Sequence, residues 1–466
     1  MSPYDELRRK QVHQMLASMP DFVARLDWPR AQIELQRRRA LRLLLRVAKE
    51  YSPWYRERLR DIDPAQVTEA DLSRIPPMTR DDLMDHWDDI VIYPSLKLEG
   101  VEAHLRELDQ DAFLFDSFHA VSSSGASGRR GVFVYDWDGW IASFAGCARW
   151  RLRNRGRALV GTHPVVVSIA AGGASHIHCA INQSFSLGPY HHLPASLSMK
   201  ETIRALEQLQ PDVLAGFPSV LRELAGEARE GRLTIRPSYL SSTGEPLSAE
   251  VREFFEEVWG AHVVNAWAAS EALPLGQSCG SGDGLHVSDD LVILEPLDSA
   301  GGPAQPGRPS SSALLTNLYN LALPIIRCEI EDRVTLSADP CRCGSAYTLV
   351  TEVQGRTRER FVYDGGVVVD PSEIGSVLAR EKDVRAYQVR QTEAGAEVRV
   401  QSEKPLHLRA VAQRVASALG KGGVDSPSVT VHRVGEIERG PAGKLRRYVP
   451  RLASTPPAGA EPRCES

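Results

Sequence analysis

A short segment rich in serine and glycine carries the first groups that could do chemistry. Residues 122–131, SSSGASGRRG, combine hydroxyl side chains, glycines and two arginines. Backbone N–H groups at Gly125 and Gly128, the hydroxyls and the guanidinium of Arg129 could together bind a polyphosphate. A Walker A loop is excluded, because Arg129 follows Gly128 where that loop has lysine. The segment is therefore either a phosphate-binding loop or an ordinary surface turn.

Three cysteines and a histidine have the donor types of a structural zinc site. Cys341 and Cys343 are separated by one residue, and Cys279 and His286 lie in the segment QSCGSGDGLHV. A Cys₃His set is typical of closed, tetrahedral zinc sites. The spacing leaves two alternatives open, a structural zinc ion or free thiols.

The composition excludes several classes of protein. The 466 residues carry a formal net charge of −5, which argues against a general nucleic-acid binder. No apolar run is long enough to span a membrane, and the first residues, MSPYDELRRK, lack the layout of a signal peptide. Seven cysteines, an odd number, do not indicate a secreted disulfide framework. We therefore expect a cytoplasmic protein with neither nucleic acid nor membrane as a partner.

Alternating strand-like and helix-like segments must position these groups. About the first fifty residues predict helices, and the run Arg37-Arg38-Arg39 predicts a solvated helix face. From about residue 51 to about residue 350, β-branched runs alternate with amphipathic segments, which predicts an α/β domain. Ser248 is predicted to cap the helix that follows it.

The segment after Phe361 predicts a second, smaller unit. Helical patterns cover 371–380 and 406–419, and strand patterns cover 386–390, 397–400 and 428–434. We expect a large α/β domain over 1–355 with mixed sheets and packed helices, a small α+β domain over 356–453 and a disordered tail over 454–466.

Eight further segments give the serine-rich loop a functional context. In chain order they are SPWYRERL, GFPSVLRELA, SSTGEPLS, NAWAASE, LLTNLYNLALPIIRCEIED, CRCG, QGR and GPAGKLRRYVP. Together with SSGASGR at 123–129, they resemble the signatures of the adenylate-forming superfamily of acyl-CoA synthetases, adenylation domains and luciferases. Within it, the order and the residues are similar to those of the phenylacetate-CoA ligase-like branch. The resemblance covers nearly all of residues 51–448.

The resemblance implies a binding site for ATP and Mg²⁺ on the large domain. Asn265 would contact the adenine amino group, and Asp332 and Arg356 would contact the ribose hydroxyls. Trp267 stands where tyrosine is usual and Ala268 where glycine is usual, so the acyl pocket beside them differs from the pattern. The implied nucleotide-binding residues are Ser123, Ser124, Gly125, Ser127, Gly128, Arg129, Gly244, Glu245, Pro246, Asn265, Ala266, Trp267, Asp332 and Arg356.

Three residues are expected to carry the chemistry. By resemblance, Glu271 would help to hold Mg²⁺, and Ser270 would lie near the α-phosphate. Lys444, on a small domain that the resemblance implies to be mobile, would bridge the substrate carboxylate and the α-phosphate. A cation is needed there, because an attacking carboxylate brings two anions into contact.

The implied reaction joins an aryl or other apolar carboxylic acid to AMP, releases pyrophosphate and passes the acyl group to coenzyme A. The chain departs from the pattern at the expected hinge, where Arg358-Glu359 replaces an acidic pair, and at the loop Asp364-Gly365-Gly366. An amine, an amino acid or a carrier-protein thiol is therefore an alternative acceptor. A non-catalytic relative that binds a nucleotide or an acyl ligand is a third interpretation. The sequence leaves open whether the chain forms a homodimer.

Overall fold

The computed structural model describes residues 2–123, 129–155, 163–170, 173–281, 284–356, 360–379, 381, 383–384, 386–402, 404–437 and 445–451. The helices in these ranges are α1 (Pro3–Ala24), α2 (Arg30–Tyr51), α3 (Pro53–Arg58), α4 (Arg80–Asp85), α5 (Trp87–Ile90), α6 (Leu98–Glu107), α7 (Trp137–Arg155), α8 (Ile177–Phe185), α9 (Met199–Leu209), α10 (Pro218–Arg229), α11 (Ala249–Trp259), α12 (Pro371–Ala379) and α13 (Leu408–Lys421). The strands are β1 (His119–Ser122), β2 (Val132–Tyr135), β3 (Val166–Ala170), β4 (Tyr190–Pro194), β5 (Val213–Gly216), β6 (Tyr239–Thr243), β7 (His262–Ala269), β8 (Ala272–Gln277), β9 (Leu285–Val287), β10 (Val292–Leu297), β11 (Ser312–Asn317), β12 (Cys328–Ile330), β13 (Asp332–Leu336), β14 (Leu349–Arg356), β15 (Phe361–Val362), β16 (Val368–Val369), β17 (Ala386–Thr392), β18 (Gly395–Gln401), β19 (Ser428–Val434) and β20 (Tyr448–Val449).

A nine-stranded mixed sheet runs through the larger unit, in the order β13-β14-β9-β8-β7-β6-β5-β3-β4. Strands β4, β3, β5, β6 and β7 are parallel, and β8, β9, β14 and β13 continue the sheet in antiparallel pairs. Parallel strands are covered on both faces and are therefore apolar throughout. Strand β5, Val-Leu-Ala-Gly, is buried at all four positions. The predicted α/β class is confirmed.

Local signals explain where the helices between these strands begin and end. Pro218 occupies the first turn of α10, where its missing N–H costs nothing. Ser248 caps α11 as predicted, because its side chain accepts the N–H of Val251. Helix α11 ends at Gly260, whose φ of 60° is the left-handed conformation that glycine favours.

Smaller sheets and the N-terminal helices complete the larger unit. Strands β1 and β2 form a two-stranded antiparallel hairpin, and β10, β11 and β12 form a three-stranded sheet. The prediction of a solvated face at the arginine run is wrong for Arg37, which is buried. Its guanidinium pairs with Glu69 and lies 3.5 Å from Asp289, so these carboxylates compensate the buried charge.

The smaller unit is an α+β fold with its own core. Strands β19, β18, β17 and β20 form a four-stranded sheet, and β15 pairs with β16. Helices α12 and α13 and the three longer strands match the predicted segments to within about two residues. Branched apolar residues fill the core, including Ile374, Val398 and Val415.

The described residues fall into two compact units. One contains residues 2–356, and the other contains those in 360–437 and 445–451. Among the described residues, no helix combines the length and the apolar character that crossing a bilayer requires.

Candidate functional site

The serine-rich segment is carried by the β1–β2 hairpin. The Ser123 N–H donates to the carbonyl oxygen of Gly131 at 2.9 Å, and the Gly131 N–H donates to Ser123 Oγ at 2.8 Å. This reciprocal pair closes the base of the loop and explains why a serine is needed at position 123. Ser124, Gly125, Ser127 and Gly128 lie outside the described residues.

The two arginines that follow the loop have different partners. Arg129, predicted to bind phosphate, pairs with Asp85 on α4. Arg130 donates to Ser122 Oγ and, at 3.1 Å, to Ser175 Oγ. Arg130 therefore ties the hairpin to the segment before α8, whereas Arg129 makes its contact on an exposed surface.

The predicted adenine side of the site is formed by the ends of two neighbouring parallel strands. Asn265 is the register partner of Ser242, and Ala266 is the partner of Thr243. The carboxyl ends of parallel strands are where open α/β sheets bind ligands. Residues 244–246 follow β6 directly and therefore begin beside positions 265 and 266.

Glycine and glutamate in this loop have structural tasks as well. Gly244 has a φ of 79°, which a residue with a Cβ would adopt only with strain. The carboxylate of Glu245 accepts the Ser219 N–H at 3.1 Å and the Ser219 hydroxyl at 3.0 Å. Glu245 thus stabilises the first turn of α10, whose unpaired N–H groups attract an anion, and this contact orients the loop.

A direct contact joins the predicted adenine and ribose residues. The indole Nε1–H of Trp267 donates to Asp332 Oδ2 at 2.8 Å. In the backbone, Asp332 and Arg356 are register partners in β13 and β14. Three residues that are distant in the chain are therefore adjacent at one end of the sheet.

Ser270 and Glu271 form the two-residue connection between β7 and β8, in which Ala269 pairs with Ala272. The Ser270 carbonyl accepts the hydroxyl of Tyr135 at 3.0 Å, and the Glu271 carbonyl accepts the Asn317 side-chain amide at 3.0 Å. Burial raises the pKa of Tyr135 well above its usual value, so its hydroxyl remains a donor. The turn is held from two sides.

The Glu271 side chain is buried, with 3% of it exposed, and forms an ion pair with Arg80 on α4. Carboxylate oxygens are the ligands that Mg²⁺ takes from proteins, so the donor chemistry fits the predicted role. The sequence pattern does not indicate Arg80 or Asp85 as site residues. A capping box at the start of α4, with Thr79 and Asp82 in PPMTRDDL, was the available signal. This capping box predicts the start of the helix, but it does not predict the ion-pair partners of Arg80 and Asp85.

Lys444 lies outside the described residues. Its predicted role in adenylation therefore stays a prediction.

The four predicted zinc ligands come together. The donor atoms of Cys279, His286, Cys341 and Cys343 all lie within 4.8 Å of one another. Cys279 Sγ is 3.7 Å from Cys341 Sγ, and Cys343 Sγ is 3.3 Å from His286 Nε2. A tetrahedral zinc ion with Zn–S of about 2.3 Å and Zn–N of about 2.0 Å places sulfurs about 3.8 Å apart, and sulfur and nitrogen about 3.5 Å apart. These two contacts match those values closely.

Two Cys-Gly-Ser turns build this cluster. In each, the glycine has a positive φ, 80° at Gly280 and 76° at Gly344. The serine N–H then donates to the cysteine sulfur at 3.5 Å, from Ser281 to Cys279 and from Ser345 to Cys343. Such donors stabilise a thiolate.

The histidine of the cluster is oriented by its second nitrogen. His286 Nδ1 lies 3.4 Å from the carbonyl oxygen of Tyr347, and the ring stacks on Trp150 at 5.1 Å. Burial lowers the pKa of His286, which keeps the imidazole neutral and able to ligate through Nε2. Burial would raise the pKa of Cys341, but hydrogen bonds from Cys343 and Cys279 lower it overall.

Comparison with known proteins matches part of the chain to one family. Residues 123–305 match a family model described as AMP-binding enzyme. Protein CapK of Staphylococcus aureus is 22% identical over 298 residues, a match that covers 62% of this chain and 60% of CapK. This chain thus aligns with less than two thirds of that relative.

Solved structures share the fold. A crystal structure of 2-hydroxyisobutyryl-CoA ligase in the postadenylation state, in complex with R3-HIB-AMP, has a TM-score of 0.72 and 20% identity, and the match covers 92% of this chain and 91% of that one. The anthranilate CoA ligase AuaEII in complex with anthranoyl-AMP has a TM-score of 0.51 and 14% identity, with 70% and 65% covered.

The fold is therefore that of adenylate-forming enzymes, a large α/β unit followed by a small α+β unit. Residues 123–305, which contain the serine-rich loop and the β7–β8 connection, match the AMP-binding enzyme family.

Proposed function

We propose that this protein is a ligase of the phenylacetate-CoA ligase-like branch, which activates a small carboxylic acid as its acyl-AMP in the cytoplasm. The observation that carries the proposal is the Trp267–Asp332 hydrogen bond at 2.8 Å. It joins the strand of the adenine residue Asn265 to the expected ribose carboxylate. Stacking surface, amide and carboxylate then lie together in a form that suits a nucleoside.

The chain's own residues would divide the work of adenylation. Asn265, Trp267 and Asp332 would bind the nucleoside, and the loop closed by Ser123 would hold the phosphates. Mg²⁺, when bound, supplies positive charge to the phosphate oxygens, and Glu271 is the carboxylate that would hold it. Lys444 would neutralise the approaching carboxylate and the α-phosphate, as a positioned cation does in a transition state.

The acyl group would next pass to the thiol of coenzyme A. The alternative acceptors are an amine, an amino acid or a carrier-protein thiol, which the departure from the pattern at the loop 364–366 suggests. This loop joins β15 to β16 through two successive glycines, Gly365 and Gly366, with φ of 77° and 78°. The loop at which the chain departs from the superfamily pattern is therefore a tight turn. A coenzyme A ligase is the first candidate.

A pyrophosphate-release screen over aryl, alkyl and amino acids tests the proposal, first without and then with coenzyme A. We expect one class of acid to support release, and coenzyme A to give a thioester. Release with transfer only to an amine or a carrier thiol would select the alternative acceptor. Nucleotide binding without release for any acid would favour the non-catalytic interpretation.

The Lys444→Ala variant tests the adenylation step separately. We expect acid-dependent exchange between ATP and pyrophosphate to fall by orders of magnitude, because the charge that offsets two anions is lost. Lys421→Ala, at the end of α13, removes the same type of charge in the small unit and serves as the control. Near-normal exchange in Lys444→Ala would refute its role.

We further propose that Cys279, His286, Cys341 and Cys343 hold one structural zinc ion. The matching contact distances and the two Cys-Gly-Ser turns support this. Elemental analysis of natively purified protein should find about one zinc ion per chain. The Cys343→Ser variant should lose it, whereas Cys328→Ser, at a buried cysteine outside the cluster, should keep it. Substoichiometric zinc in the wild type would leave the free thiols as the correct interpretation.

A further inference from the structure

Helix α4 connects the two charged groups expected to meet Mg·ATP. Its first residue, Arg80, pairs with Glu271, and its last residue, Asp85, pairs with Arg129. One helix of six residues therefore presents a cation to the expected metal ligand and an anion to the expected phosphate ligand. Its two terminal charges have the signs of the two components of Mg·ATP.

The start of α4 is fixed by the backbone. Met78 forms a parallel β-bridge to Cys328, and the Met78 N–H donates to the carbonyl oxygen of Arg327 at 3.0 Å. The Thr79 side chain accepts the Asp82 N–H at 3.1 Å, and the Asp82 carboxylate accepts the Thr79 N–H at 2.7 Å. This capping box fixes the first turn, so Arg80 is directed by the fold rather than by its charge alone.

The end of α4 and the start of α5 pack against the β1–β2 hairpin. Met84 Sδ lies 3.4 Å from the Val132 nitrogen, and the Trp87 indole donates to the Val132 carbonyl at 3.0 Å. Val132 begins β2, directly after Gly131, which closes the base of the loop. Asp85 is therefore held beside the base of the loop, although it lies 44 residues before Arg129 in the chain.

The two ion pairs differ in how readily a ligand can replace them. Glu271 is almost fully buried and Arg80 is 30% exposed, so separating this pair would leave a buried carboxylate unpaired. Asp85 is 61% exposed and Arg129 45% exposed. An exposed pair contributes little to stability and exchanges easily. A triphosphate can replace Asp85 at Arg129, whereas Arg80 stays beside Glu271.

We propose that α4 sets the affinity of the nucleotide site: Asp85 competes with the phosphates of ATP for Arg129, and Arg80 is a positioning residue that holds Glu271. This inference rests on the proposed function. Arg80 uses Nη2 for Glu271, and a guanidinium carries five N–H donors. The same side chain can therefore hold the carboxylate and face a phosphate oxygen.

Removing the competing charge at Asp85 tests the first half. In Asp85→Asn, Kd for ATP, measured by calorimetry with Mg²⁺ present, should fall about twofold to fivefold, the range of one exposed ion pair. Asp81→Asn removes the same charge from an exposed position on the same helix and is the matched control. We expect it to change Kd by less than about twofold, as is usual for surface substitutions.

The outcomes separate this inference from the proposed function. Equal shifts in Asp85→Asn and Asp81→Asn would mean a general charge effect and overturn the competition, as would a higher Kd in Asp85→Asn. Failure of the wild type to bind ATP would overturn both the inference and the proposed function. ATP binding that does not depend on Asp85 would overturn the inference alone.

Substitution of Arg80 tests the second half. Arg80→Ala should raise the Mg²⁺ concentration needed for half-maximal pyrophosphate exchange about tenfold, because Glu271 loses its orientation. Arg80→Lys should restore most of this, since it keeps the charge, and it remains informative if Arg80→Ala folds poorly. An unchanged Mg²⁺ dependence in both variants would overturn the positioning role.

Discussion

Trp267→Phe should weaken ATP binding through the ribose. The substitution keeps an aromatic ring at a position that is 7% exposed, but it removes the N–H that donates to Asp332 Oδ2 at 2.8 Å. Hydrogen bonds to charged groups contribute about 1.5–3 kcal/mol. Since Asp332 is only half-buried, we take the lower limit, and about 1.4 kcal/mol corresponds to a tenfold change. We therefore expect KM for ATP to rise about tenfold.

Exchange between ATP and pyrophosphate, with an acid found in the screen, measures this effect. Using 2′,3′-dideoxyATP removes the hydroxyls that Asp332 would bind, so wild type and Trp267→Phe should then differ little. Trp259→Phe is the matched control, because the Trp259 indole nitrogen is buried without a hydrogen-bond partner among the described residues. It makes the same chemical change on α11, away from Asp332.

Two results would contradict this prediction. An equal rise in KM for ATP and for the dideoxynucleotide would show that Trp267 acts by stacking or by shape, not through the carboxylate. An unchanged KM for ATP would show that the Trp267–Asp332 contact does not orient the ribose site. A thermal unfolding scan of each variant separates these results from a loss of folded protein.

Three further predictions concern buried polar pairs. Arg149 and Asp290 are fully buried and joined by two hydrogen bonds of 2.8 Å. Arg149→Leu should therefore lower the free energy of unfolding, measured in urea, by about 3–5 kcal/mol. Adding Asp290→Leu should restore most of this free energy, and no recovery would refute the explanation by an unpaired buried charge. Burial alone would raise the pKa of Asp290, but the charge of Arg149 lowers it overall. The contribution of this carboxylate to stability is therefore complete above its unfolded pKa of about 3.9, and it is lost as pH falls through the lower pKa of the folded state. Below about pH 4, the urea midpoint of the wild type should fall more steeply than that of the variant with both Arg149→Leu and Asp290→Leu. Ser123→Ala removes the acceptor of the Gly131 N–H. It should raise KM for ATP about fivefold or more, since about 1–3 kcal/mol is lost when a buried donor is left unpaired. Ser123→Thr keeps the hydroxyl and should not raise KM; equal values for both variants would refute the role of the hydroxyl.

Local patterns predicted the elements well where each element is specified by its own residues. Ser248 caps α11 as expected, and β19 occupies the predicted 428–434. These features depend on hydrogen bonds and periodicities within a few residues, which the sequence displays directly. The chain's alternation of strands and helices likewise predicted the α/β class.

The sequence proposed residues for the candidate site but not the contacts between them. The sequence indicated Asp332, Glu271 and Trp267 as site residues by resemblance. It did not indicate that Trp267 donates to Asp332, or that Arg80 pairs with Glu271. These partners are separated by 65 and 191 residues, distances over which periodicity carries no information.

Residues close together in the chain are enough to predict the local structure, the class of fold and the set of side chains available for chemistry. Which charges meet, which of them are buried and which remain open to exchange depends on the packing of distant segments, as the contrast between Arg37 and Arg129 shows. Local hydrogen bonding acts between neighbours in the chain, so the sequence displays it directly. The strength and exchange of an ion pair depend instead on desolvation, which is set by everything that packs around it.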